Sequence, residues 1–254
     1  MSLMQTPLIV IPARLAATRL PNKPLADILG KPMIIHVWER ALQAHLGPVI
    51  VACGDQEIYE VVMGFGGMAI LTDPLLPSGS DRVKAAVDIF DPQGIYSHII
   101  NVQGDVPTLD PELLRACLDP FLIAPNLDIA TLATEIQETD ELADPNVVKI
   151  ALGLEAGSDI GRALYFSRNV VPSGEGPHYH HVGLYAYSRK ALNRYVTLPV
   201  HPLESHERLE QLRALAHGMT IHVKVISGEV LFGVDTQSDL DRAIAILDKK
   251  LKFE

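Results

Sequence analysis

The stretch LIVIPARLAATRLPNKPLADILGKPMIIHVWERALQAHLGPVIVAC, residues 8–53, begins and ends on an apolar run. LIVIP (8–12) and VIVAC (49–53) are unbroken β-type runs, the pattern of strands covered on both faces. Between them, PMIIHVWERALQAH (32–45) spaces its apolar residues as a helix does. Strand, helix and strand make a βαβ unit, with parallel strands and a right-handed crossover. The segment that follows the first strand is unusual. It carries Arg14, Arg19 and Lys23 and has no acid up to Leu25, in a chain whose net charge is −10.

Working outward, MAIL (68–71), SHIINV (97–102) and DIATLA (128–133) are further strand candidates. DQEIYEVVMGF (55–65), SDRVKAAVDIF (80–90) and PELLRACLDPF (111–121) have helical spacing. This alternation predicts a mixed, mainly parallel α/β sheet flanked by helices. The pattern then changes. NVVKIALG (146–153), ALYFSR (163–168) and HVGLYAYS (181–188) read as strands joined by polar or Gly/Pro turns, a partly antiparallel insertion. SRKALNRYV (188–196) and ESHERLEQLRALAHG (204–218) read as helices, the second closed by Gly218. IHVKVI (221–226) is a strand, and TQSDLDRAIAILDKKL (236–251) is a terminal helix with a capping signal from Thr236 to Asp239. With no repeat, low-complexity tract or linker, residues 1–254 are expected to form a single domain.

Composition narrows the function. The 254 residues, 48% of them hydrophobic, suffice for a substantial core. No apolar run approaches the ~20 residues of a membrane span. The start, MSLMQTP, has neither the basic region nor the apolar stretch of a signal peptide. Cys53 and Cys117 stand far apart without a C-x-x-C, so a reducing, cytoplasmic setting is expected. The acidic balance argues against nucleic acid and anionic membranes as partners, and leaves room for a local basic site for a small anion. LGKPM (29–33) lacks the rest of a P-loop. GFGGMA (64–69) fits a dinucleotide turn by letters, but it follows a helix and precedes a strand, the reverse of the order required. That order disfavours a nicotinamide-type oxidoreductase.

Ligands of parallel α/β sheets bind at the carboxyl ends of strands, where Arg14, Arg19 and Lys23 fall. Pro12, Pro21 and Pro24 keep that loop out of a helix. Two guanidiniums and an ammonium suit a polyphosphate; the plain alternative is a solvated loop paired with acids elsewhere. NVQGDVP (101–107) ends another strand, with Asp105 after a turn-permitting Gly104. A carboxylate beside a phosphate loop calls for a bridging metal, and Mg²⁺ takes one or two carboxylates plus phosphate oxygens; seen alone, the stretch reads as a plain Gly-Asp turn. Asp235 in LFGVDTQSD (231–239) is a candidate second carboxylate, or a helix cap. PSGSDR (77–82) offers amides, hydroxyls and Arg82 to a base edge, or is simply an N-cap with a surface Arg.

IPARLAATRLPNKPL, SGSDR, NVQGDVP, DPNVVKI, ALYFSR, HVGLYAY, PLESHERLEQLRAL and GVDTQSDLDRA follow one another in that order across nearly the whole chain. This series closely resembles the 3-deoxy-manno-octulosonate cytidylyltransferases, the CMP-Kdo synthetases of lipopolysaccharide synthesis. The resemblance implies a nucleotide-diphospho-sugar transferase fold, usually a homodimer, and the reaction of CTP with Kdo in the presence of Mg²⁺. It implies a nucleotide-binding part at about 8–135, a sugar-binding and dimer-forming part at 136–230, and a metal-ligand strand end with the terminal helix at 231–254. Arg14, Arg19 and Lys23 would hold the CTP phosphates, with Ser78, Gly79, Ser80, Arg82 and Gln103 on the cytosine and ribose side. Asp105 and Asp235 would be the metal ligands, and Arg14, Lys23, Asp105 and Asp235 the catalytic set. Arg168, His181, Tyr185, Glu210 and Gln211 would form the sugar-acid pocket, with Arg168 suited to the Kdo carboxylate.

Two departures from the family pattern stand out. Val106 replaces the usual Glu after NVQGD, removing one acidic neighbour of the metal. The segment RNVVPSGEGPHYH (168–180) is short and brings Gly, Pro and His where the family has a longer charged loop. The acceptor therefore stays open between Kdo and another acidic sugar, a nonulosonate or amino-Kdo. A non-catalytic nucleotide-binding protein is the rival of another class, disfavoured by the presence of both Asp105 and Asp235. HYHH (178–181) raises zinc, but no third ligand is assured.

Overall fold

The computed structural model describes residues 6–16, 20–228 and 232–252. They form two compact units, one of residues up to 114 together with the segment from 232, the other of residues 115–228.

In the first unit, Leu8–Ala13 (β1) is apolar and buried along almost its whole length, as a parallel strand covered on both faces must be. Asp27–Ile28 (β2) and Lys31–Pro32 (β3) form a small hairpin that delivers the chain into Met33–Leu42 (α1). That helix buries Met33, Ile34, Ile35, Val37 and Ala41. Val49–Cys53 (β4), Gln56–Gly64 (α2), Met68–Leu71 (β5), Gly79–Phe90 (α3) and His98–Asn101 (β6) complete the alternation. The sheet order is β5-β4-β1-β6, all parallel, with Ile9 opposite Val49 on one side and Ile100 on the other. GFGGMA is the α2–β5 loop: Gly66 takes φ +79°, and Gly67 packs so closely on Val62 and Trp38 that a Cβ would collide.

The helix expected over 111–121 is two, Pro111–Ala116 (α4) and Asp119–Ile123 (α5). Pro120 has no N–H for an interior helical bond, but it fits the first turn of a new helix.

The second unit holds Ile129–Glu135 (β7), Thr139–Ala143 (α6), Lys149–Gly153 (β8), Ile160–Ser167 (β9) and Tyr179–Ser188 (β10). Arg189–Tyr195 (α7), Pro202–Glu207 (α8), Gln211–Ala216 (α9) and Ile221–Ile226 (β11) follow. Its strand order is β10-β7-β11-β9-β8, and only β7 and β11 run parallel. β8 also reaches the start of β10, pairing Lys149 with His180. The partly antiparallel character expected after residue 136 is therefore present. The helix expected over 204–218 is broken: Arg208 adopts φ +56°, and Glu204 at the third position of α8 forms a bidentate ion pair with Arg213 in α9.

Gln237–Leu251 (α10) belongs to the first unit. Asp239 accepts from the Thr236 amide at 2.9 Å while its own amide donates to Thr236 Oγ1 at 3.2 Å, so the expected capping pair is formed. Leu240, Ala243 and Leu247 pack with Val234, Ile28 and Met33, which anchors the segment bearing Asp235. Among the described residues no helix is long and apolar enough to cross a membrane.

Candidate active site

A cavity of about 470 Å³ opens in the first unit where the strands end. Its walls come from the end of β1 and the following loop (Pro12, Ala13, Arg14, Ala16, Leu20), from Lys23 and Pro24, and from the start of α3 (Ser78, Gly79, Arg82). Gln103, Gly104, Asp105 and Asp235 complete it. The residues singled out in four separated segments of sequence therefore converge. Arg19 lies outside the described residues, and Ser80, buried inside α3, is not on the wall.

Each segment has a local reason for its path. Gly104 has no alternative: a Cβ there would sit 2.7 Å from the Pro12 carbonyl oxygen, so only glycine lets the loop after β6 approach β1. Ser78 caps α3, its Oγ accepting from the Asp81 amide at 3.2 Å and donating to Asp81 Oδ2 at 2.6 Å. Lys23 opens a short 3₁₀ turn, Lys23–Leu25, entered through Asn22 at φ 54°.

Arg82 is not the surface residue of a plain cap. It is 2% exposed and donates to Thr72 Oγ1 at 2.6 Å and to the carbonyls of Asp73 and Pro74. Burial, then the nearby Arg14 cation, lowers its pKa. It packs against Gly54, where a Cβ would lie 2.7 Å from a guanidinium nitrogen. Arg82 thus braces the loop after β5 while putting positive charge on the wall. The Leu15 amide donates to Asp55 Oδ2 at 2.7 Å, which fixes the chain just beyond Arg14.

At the far side, Lys23 Nζ donates to Asp105 Oδ2 at 2.6 Å and to Asp235 Oδ1 at 2.9 Å. Burial by itself would lower the Lys23 pKa, but the two carboxylates outweigh it and hold it above the ordinary lysine value. The Asp105 carbonyl accepts from the Val234 amide at 2.8 Å, which ties the two carboxylate segments together. Val106, which stands where the resemblance leads one to expect Glu, is buried away from the cavity wall.

In the second unit, the rings of His181 and Tyr185 meet at a 53° tilt with centroids 5.3 Å apart, and Phe166 meets His181 edge-on at 5.1 Å. The Thr131 hydroxyl donates to the Leu184 carbonyl at 2.8 Å and accepts from His181 Nε2 at 3.0 Å, which sets the ring's tautomer. Burial, reinforced by His180, pushes the His181 pKa down to about 3, so the imidazole is neutral at neutral pH. Burial, then Tyr187 and Glu210, pushes the Tyr185 phenol well above its usual value. Glu210 and Gln211 stand at the break that starts α9. Arg168 donates to three main-chain carbonyls, those of Glu207 (2.8 Å), Pro145 (2.8 Å) and Arg208 (3.4 Å).

Two residues passed over in the sequence organise this region. Glu207 accepts from Ser167 Oγ at 2.8 Å and from the Arg168 amide at 2.9 Å. Lys149, without exposed surface, donates to the carbonyls of Asp144 and Arg168 at 2.7 and 2.9 Å. Glu207 lies inside the quoted PLESHERLEQLRAL motif, but on an unbroken helix it reads as a surface acid. In HYHH the histidines serve different partners, His178 binding the Pro172 carbonyl and His181 the Thr131 hydroxyl. Among the described residues no group of three or more His, Cys, Asp or Glu side chains is placed to hold a metal.

The chain matches the family model described as cytidylyltransferase over residues 8–221. It is 58% identical to the 3-deoxy-manno-octulosonate cytidylyltransferase of Paramagnetospirillum magneticum over 95% of this chain and 98% of that one. The enzyme of the same name from Rhodospirillum centenum is also 58% identical, over 97% and 95%. A solved structure of CMP:2-keto-3-deoxy-manno-octonic acid synthetase complexed with CTP superposes with a TM-score of 0.88 at 38% identity, covering 96% of this chain and 98% of that one.

Proposed function

Because the chain belongs to the cytidylyltransferase family, we propose that it transfers the cytidylyl group of CTP to 3-deoxy-D-manno-octulosonate, giving CMP-Kdo and pyrophosphate. The observation that carries this reading is the strand-end cavity, where Arg14, Lys23 and Arg82 face the carboxylates of Asp105 and Asp235. Relatives that match nearly end to end bear the name of this activity.

In the reaction the anomeric hydroxyl oxygen of the sugar bonds to the α-phosphorus, the bond from that phosphorus to the β-bridging oxygen breaks, and the hydroxyl proton leaves to solvent. Transfers of this kind gain most of their rate from positioning and charge neutralisation, without a protein nucleophile. Arg14 and Lys23 supply the positive charge for the triphosphate and the departing pyrophosphate, and Arg19 is assigned beside them. Ser78, Gly79, Arg82 and Gln103 line the same cavity and are assigned to the nucleoside. His181, Tyr185, Arg168, Glu210 and Gln211 are assigned to the sugar acid.

Asp105 and Asp235 fit Mg²⁺: both are hard oxygen donors, and they converge on one point, the Lys23 ammonium, at 2.6 and 2.9 Å. When bound, the ion neutralises phosphate charge and lowers the pKa of a coordinated hydroxyl. We further read the protein as a cytoplasmic homodimer serving lipopolysaccharide synthesis. The exposed Leu122, Ile123 and Leu164 of the second unit support an interface, and two buried free cysteines suit a reducing compartment.

The test is pyrophosphate release with Mg²⁺, each of the four nucleoside triphosphates and a panel of sugar acids. Release is expected with CTP and Kdo. Release with a nonulosonate or amino-Kdo instead would move the assignment to that acceptor, and none with any pair would overturn the enzyme reading. Asp105→Ala is expected to abolish release while leaving the circular dichroism spectrum unchanged; full activity in that variant refutes the metal assignment.

A further inference from the structure

Lys23 stands between the two carboxylates assigned to the cation. Its ammonium contacts Asp105 Oδ2 at 2.6 Å and Asp235 Oδ1 at 2.9 Å, with only 16% of the side chain exposed. The three groups come from distant points of the chain, 82 and 212 residues apart, so the fold places them together deliberately rather than by local chain geometry. An ammonium and a divalent cation cannot share one gap between two carboxylates, because like charges at that spacing repel strongly. Yet Lys23 lines the same cavity as Arg14 and Arg82, where an incoming triphosphate would offer it a second anionic partner. A lysine is a compact charge on a flexible stem and can change partners by bond rotation alone.

We propose that Lys23 couples cation binding to nucleotide binding: it serves as the counter-charge of Asp105 and Asp235 and releases them to a divalent cation when a triphosphate takes up its ammonium. This rests on the reading of the cavity as a metal–triphosphate site. A cation arriving alone competes with Lys23 and binds weakly; a cation arriving with the nucleotide does not. By linkage, the cation favours the triphosphate to the same degree.

The test uses Mn²⁺ alone, followed by electron paramagnetic resonance, on the wild type, on Lys23→Met and on Lys23→Met combined with Asp105→Asn. Lys23→Met is expected to bind Mn²⁺ about tenfold more tightly than the wild type, and the double variant to lose that gain. Equal affinity of wild type and Lys23→Met overturns the proposal, as does a gain that survives Asp105→Asn. If circular dichroism shows that the lysine variants do not fold, ammonium NMR of the wild type decides. The Lys23 signal is then expected to shift with Mg²⁺ and CTP together and to hold with Mg²⁺ alone; an equal shift with Mg²⁺ alone overturns the proposal. The Mn²⁺ titration needs neither CTP nor sugar acid. A chain that releases no pyrophosphate therefore fails the functional reading alone, and an active enzyme with equal Mn²⁺ affinities fails this one alone.

Discussion

Gly104 shows how much a single position controls. The turn it makes sets Gln103 and Asp105 on the cavity wall, and its missing side chain lets the loop lie against the Pro12 carbonyl. In Gly104→Ala the added methyl meets backbone, which cannot swing aside. We expect about 1–3 kcal/mol of lost stability, as for other overpacked sites, together with weaker CTP binding. Urea denaturation and calorimetric titration with CTP measure the two effects, and a variant unchanged in both contradicts the close approach. Arg82 makes the complementary point: a residue with a plain reading as a surface partner of an N-cap is buried and braces the loop after β5.

At the level of elements, the break between α8 and α9 matters most. A continuous helix over 204–218 has good apolar spacing, and nothing in its sequence marks Arg208 as the residue that leaves it. The interruption comes from tertiary bonds. Glu207 turns to Ser167 and Arg168 at the end of β9, while Glu204 and Arg213 staple the two helices together. The result sets Glu210 and Gln211 at the head of α9. Glu207→Ala leaves the Arg168 amide and the Ser167 hydroxyl without their acceptor, at a cost of about 1–3 kcal/mol. It is also expected to raise KM for the sugar acid more than KM for CTP, which steady-state kinetics with each substrate varied in turn will read. An equal rise in both would mean that Glu207 acts only on stability.

For the whole molecule, histidines held neutral by full or partial burial make stability depend on pH. His181 is held neutral, with its pKa moved from 6.5 down to about 3 by burial and His180. Burial likewise lowers His98, His180 and His222. These folded pKa values lie below the unfolded ones, so between about 6.5 and 3 the unfolded chain binds more protons. Stability is therefore complete above the unfolded value and declines as pH falls below it, by up to about 1.4 kcal/mol per pH unit for His181. The urea midpoint at pH 5.5 is expected to lie below that at pH 7.5, and His181→Gln to flatten the difference. Equal midpoints would contradict neutral burial. The net charge of −10 makes the cations of the Arg14–Lys23 segment stand out, but their effect is local, set by cavity walls rather than by the sum over the chain.

The alternation of the main strands and helices, the parallel βαβ start, the partly antiparallel second half and the residues at the strand ends were legible in the sequence; the splits of the helices read over 111–121 and 204–218, the β2–β3 hairpin and α6 were not. Periodicity, prolines and caps act over a few residues, and the motif series identified the family. What only the tertiary structure decided are contacts between residues far apart in the chain: Lys23 between Asp105 and Asp235, the burial of Arg82, Val106 and Lys149, and the break at Arg208. The reason is physical. Local propensity depends on neighbours in sequence, whereas the partner of a charge or of a buried hydrogen-bonding group is chosen by what the fold brings within about 3 Å of it.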